Sequence, residues 1–121
     1  MLVVLAGAPW IAGAAPRYYD VGAGSGPHDV AASPAPDGPV YYTGQRNGTL
    51  GILDPATGLV VEVKLGARSA PHGVIVGPDG APWITDSGLN AIVRVDPDTR
   101  AVKVWPLPAE AAGANLNTAA F

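Results

Sequence analysis

"SAPHGVIVGPDGAPWITDSGLNAIVRVDPDT", residues Ser69 to Thr99, restates a pattern that the chain has already spelled once. His72 answers to His28, 44 residues earlier, while Asp79-Gly80 answers to Asp37-Gly38 and Asp96-Pro97 to Asp54-Pro55, both at 42. The two-residue difference falls in "AASPAP", which has the composition of a loop. Tyr41 with Trp83, Thr43 with Thr85 and Ile52 with Arg94 keep the same register. A period of about 40 to 45 residues belongs to propeller blades or to helical-pair repeats.

Strands fit the inside of one period better than helices. "HGVIV" is a short, continuous, β-branched apolar run, the pattern of a strand buried on both faces, and Pro78-Asp79-Gly80 closes it with a hairpin turn. "PWIT" follows, Ser87 to Asn90 turn the chain, "AIVRVD" forms a third strand, and "AVKVWPL" alternates as a half-exposed fourth. Pro and Gly recur every ten residues or so and would break each helix of a helical repeat. Four strands per period describe one propeller blade. The fold class is therefore all-β, with antiparallel blades over about residues 22–66 and 67–110. The tail "NLNTAAF" reads as the inner strand of a third blade beginning near residue 115, with Asn117 at the histidine's place. Pro106 and Pro108 suit an outer edge strand, where a missing donor costs little and stray pairing is discouraged.

Two blades do not close a ring, which needs at least about four. The propeller domain is thus expected to be partial over residues 17–121, a piece of a longer protein, with apolar blade faces that invite self-association. Residues 1–16, "MLVVLAGAPWIAGAAP", are apolar, carry Ala12-Gly13-Ala14 as a cleavage-like triplet and lack basic residues. They read as a clipped leader, which would make the protein periplasmic or secreted; an outer strand of a preceding blade or a mis-chosen start codon would leave it cytoplasmic. The segment is too short to span a bilayer. With 14% charged residues and a formal net charge of −3 there is no basic stripe, so neither nucleic acid nor an anionic membrane is an expected partner. The absence of cysteine excludes a disulfide, a thiolate nucleophile and a thiolate metal site. Asn47-Gly48-Thr49 matches a glycosylation acceptor, but Asn-Gly is foremost a tight-hairpin turn.

"PHDV", "PDG", "NAIVRVDP" and the closing "VWPLP" resemble the blade repeat of the virginiamycin B lyase (streptogramin lyase) family of seven-bladed propellers, over roughly Tyr18 to Phe121. The resemblance implies a carbon-oxygen lyase that linearises a cyclic depsipeptide by Mg²⁺-assisted elimination at an ester. In such a step a base removes the proton next to a carbonyl, and a cation stabilises the enolate-like charge that develops. Independently of the family, if His72 begins an inner strand and Asp86 ends the second, the separation of fourteen residues brings both to one rim beside the channel. In the family a His and an acidic residue at this spacing form the catalytic pair, which makes His72 and Asp86 the candidates here. That pair belongs to a late blade and has a further Glu two residues before the His. Ala70 stands at that place in this chain, and in the first copy Gly44 replaces the acid.

His28 and Asn117 are expected to line the substrate channel on the same rim, Tyr41 and Trp83 to pack between blades, and Asp37, Asp54, Asp79 and Asp96 to form turns. The expected ligand is a small molecule or cyclic peptide. The chain itself is expected to be inactive and to hold no metal, the Mg²⁺ belonging to the complete protein. Two other readings remain open: a non-catalytic exported propeller that binds a ligand or partner, and a calcium-dependent lactonase-like propeller hydrolase.

Overall fold

The structure is a computed structural model that describes residues 15–121; the leader expected over residues 1–16 lies almost wholly outside the described residues. Eight strands follow in chain order: β1 (Pro27–Ala32), β2 (Val40–Gly44), β3 (Thr49–Leu53), β4 (Val60–Lys64), β5 (Pro71–Val76), β6 (Pro82–Asp86), β7 (Ala91–Val95) and β8 (Val102–Pro106). They form two four-stranded antiparallel sheets, ordered β1-β2-β3-β4 and β5-β6-β7-β8, each a meander of one repeat. These are two blades of a β-propeller. The equivalent registers Tyr41↔Ile52 and Trp83↔Arg94 show that both copies of the repeat pair alike.

Turn chemistry sets the hairpins. Asn47 and Gly48 lie in the turn joining β2 to β3, Gly48 with φ 66°, and the equivalent Asn90 has φ 50°. Both residue types tolerate the left-handed region. The Asn-Gly pair is therefore a hairpin turn. Asp54 and Asp96 cap their turns by accepting from the backbone N–H groups of Ala56 and Asp98 respectively, and also from those of Thr57 and Thr99.

The core lies between the two sheets. Tyr41, Leu50 and Ile52 of the first blade pack against Val74, Ile84, Val93 and Val95 of the second, with Leu65 of the linker closing one end. Strand alternation puts these side chains on facing surfaces. β5 contacts both β1 and β2, so the inner strands stand side by side.

β1 is largely exposed, because among the described residues no blade precedes it. Two features depart from the sequence expectation. Residues 115–121 form no strand, and among the described residues no second strand pairs with them. They lie on the face of the second blade turned away from the first, where the inner segment of a following blade is expected, with Ala119, Ala120 and Phe121 beside Ile75, Trp83 and Ile92. A short 3-10 turn, Ala109–Ala111, precedes this tail, in a stretch whose sequence reads as loop.

Candidate functional site

The stacking of β5 on β1 brings together two imidazoles that are 44 residues apart in sequence. The His28 and His72 ring centroids are 3.9 Å apart at an interplanar angle of 49°. His28 is exposed and His72 half-buried. The Nδ1 of His72 is enclosed and has no hydrogen-bond partner.

A polar clamp between the blades fixes this arrangement. The backbone N–H of Asp29 donates to Thr43 Oγ1 at 3.0 Å, and that hydroxyl donates to the His72 carbonyl at 3.0 Å. The Asp29 carboxylate accepts from the backbone N–H of Val74 across the junction at 3.0 Å, and from its own neighbour Val30. Thr43 is fully buried. Sequence reasoning passed over both residues as functional candidates, although the pairing of Thr43 with Thr85 was a signal.

Thr85 repeats the arrangement one blade on: it accepts from the Gly73 N–H and donates to the Asn117 carbonyl. The Asn117 carbonyl therefore takes the seat on Thr85 that the His72 carbonyl takes on Thr43. His28, His72 and Asn117 occupy equivalent places at the starts of successive inner segments.

Asp86 lies level with the start of β5, opposite Pro71 in the ladder. Its carboxylate, however, is completely buried and accepts from Ser69 Oγ at 2.5 Å, Ala70 N–H at 3.0 Å and Leu89 N–H at 2.9 Å. It fastens the linker to the turn after β6 and makes no hydrogen bond to His72. The structure thus sets the His72 ring against His28, while these donors hold the Asp86 carboxylate in the loop at the same end of the ladder.

Tyr41 is buried between the blades, as expected, and burial raises its phenol above the ordinary range. Trp83, its equivalent, lies on the face of the second blade turned away from the first, stacked on Trp105 at 5.3 Å and edge-on to Phe121 at 5.8 Å. Asp79 bonds the Trp83 indole N–H and the Arg94 guanidinium, the latter at 2.7 Å, and these hold its carboxyl down at about 2. Beside His28, a groove of about 370 Å³ is bounded by Tyr18, Val21, His28, Val30, Tyr42 and Leu53.

Mg²⁺ does not fit these residues. A hard cation requires free oxygen donors, whereas the carboxylates of Asp29 and Asp86 are engaged by protein N–H and O–H groups. Among the described residues no group of three His, Cys, Asp or Glu side chains is placed to hold a metal ion. Among the same residues no helix is long and apolar enough to cross a membrane.

No family model matches the chain. Gluconolactonase of Zymomonas mobilis is 59% identical over 29 residues, which is 24% of this chain and 8% of that protein. The fold is similar to that of a catalytically inactive virginiamycin B lyase from Staphylococcus aureus solved with quinupristin, with TM-score 0.74 and 23% identity over 84% of this chain and 33% of that one. A streptogramin B lyase structure aligns with TM-score 0.64 and 26% identity over 74% of this chain and 29% of that one. The chain thus spans about a third of the length of the lyases whose fold it shares.

Proposed function

We propose that these two blades belong to a propeller enzyme of the virginiamycin B lyase type, which opens a cyclic depsipeptide at its ester by elimination. The chain's part is to line the mouth of the substrate channel. The observation that carries this reading is the arc of His28, His72 and Asn117, set at equivalent places by the Thr43 and Thr85 hydroxyls. Imidazole and amide groups on a channel rim offer both donors and acceptors to a peptide ring. The proton-abstracting base and the carboxylates for Mg²⁺ belong to residues outside this chain, since Asp86 is committed to its loop and Ala70 stands where a carboxylate is needed. Export to the periplasm or medium is part of the same reading.

A second reading, a propeller lactone hydrolase, draws on the short match to gluconolactonase. The two differ in their products. A protein containing this chain and the blades that complete it should convert quinupristin to a ring-opened isomer of unchanged mass, seen by liquid chromatography and mass spectrometry. A product heavier by one water would establish hydrolysis and overturn the lyase reading. His28→Ala should raise KM more than it lowers kcat, and residues 1–121 alone should show no turnover.

A further inference from the structure

We propose that His28 and His72 form a two-imidazole site for a borderline divalent transition-metal cation of the zinc class. The proposal rests on the geometry of the pair and stands apart from the lyase reading. These are the only two histidines of the chain, and the stacking of the blades brings their rings to 3.9 Å. The 49° tilt is far from a parallel stack. The Nδ1 of His72 has no hydrogen-bond partner, so that ring is not committed to a protein group.

The chemistry selects the cation. Neutral imidazole nitrogen suits zinc, copper and nickel, while carboxylate and carbonyl oxygen suit magnesium and calcium. The neighbouring carboxylate of Asp29 is held by Val74 and Val30, so the pair supplies nitrogen without free oxygen. With zinc–nitrogen bonds of about 2.0–2.1 Å, two ligating nitrogens stand roughly 3–3.5 Å apart, a separation that rings in contact reach by rotation. His28 is exposed and free to make that rotation. Two protein ligands leave the remaining positions to water or to a polar group of a bound molecule, so the site is open and binds weakly compared with a structural zinc centre.

Zinc chloride titrated into the 121-residue chain tests this, with the imidazole ring-proton resonances followed by NMR and binding heats by calorimetry. Both rings should shift together and saturate at one zinc per chain, and magnesium should move neither. His28→Gln should weaken binding at least tenfold and abolish the zinc response of the His72 ring. Because His28 is exposed, this variant keeps its fold, whereas His72→Gln need not. Rings that do not move, that move at different zinc concentrations, or a His28→Gln chain that binds zinc unchanged would each overturn the proposal.

Discussion

Replacing Thr43 by Val isolates the clamp that holds the two blades in register. The change keeps the shape of the side chain and removes one hydroxyl, which in this structure serves two groups: the Asp29 N–H that donates to it and the His72 carbonyl that accepts from it. Thr43 is completely buried, so water cannot readily replace the lost partner. A buried polar group left unsatisfied costs about 1–3 kcal/mol, and with one hydroxyl serving both groups the expected loss is about 2–4 kcal/mol. At about 4–8 °C per kcal/mol for a domain of this size, the melting temperature should fall by roughly 10–25 °C. Thr85→Val is the internal control. It strands the buried Gly73 N–H but leaves the Asn117 carbonyl on an exposed tail residue, where solvent can reach it. Its cost should be the smaller, about 1–2 kcal/mol. Urea unfolding followed by circular dichroism, with the m-value checked for constancy, gives both numbers. A Thr43→Val loss below about 0.5 kcal/mol, or a larger loss for Thr85→Val, would refute the clamp and the junction built on it.

Three further outcomes are expected. Because the Arg94 and Trp83 partners hold the folded Asp79 carboxyl at about 2, below its ordinary 3.8, its stabilising contribution is complete above about pH 4 and is lost as the pH falls toward 2. Asp79→Asn should therefore flatten the acid limb of a stability–pH curve, and an unchanged limb would rule out this ion pair as its source. Asn47→Asp places a carboxylate where the amide now donates to Glu62 at 3.2 and 3.3 Å, so the hairpin should lose up to about 1 kcal/mol at neutral pH in thermal melts. Arg100 holds φ 64° at the place where the first repeat has Gly58 at φ 79°, so Arg100→Gly should stabilise the blade by about 1 kcal/mol in urea unfolding, and destabilisation would show that the arginine's contacts outweigh its backbone strain.

The blade was legible because its signals are local. Asp79-Gly80, Asp54-Pro55 and Asn47-Gly48 each fix a turn through their own backbone and side-chain bonding, and the apolar runs between them have only one way to pair as a meander. What lay beyond the sequence depends on neighbours. β1 and β5 carry similar "PHDVAA" and "PHGVIV" runs, yet the first is mostly exposed and the second mostly covered, because β5 lies between the first blade and the tail whereas β1 is packed on one side alone among the described residues. The spacing of His72 and Asp86 placed both near one end of the ladder, as the pairing of Pro71 with Asp86 confirms. Spacing carries no information about where a carboxylate turns, and three donors from the linker and the following turn decide that. The contact of His28 with His72 was equally invisible, since it depends on how closely two blades stack.

The two junctions also differ in a way that repeat alignment brings out. At the first, Asp29 reaches across to the Val74 N–H, so a charged side chain ties blade to blade. At the second, the equivalent residue is Gly73, and a Cβ there would meet the Asn117 carbonyl at 2.7 Å and Thr85 Oγ1 at 2.8 Å. The backbone of the tail therefore approaches β5 through the space that a side chain would occupy. A carboxylate and a missing side chain are alternative solutions to the same problem, the seating of the next inner segment on a conserved-in-place hydroxyl of Thr43 or Thr85. The first ties the junction with a side chain, and the second closes it by contact. That difference places the imidazole pair at the junction with the charged tie, where the Thr43 hydroxyl and the Asp29 carboxylate fix β5 against β1 and so fix the distance between the two rings.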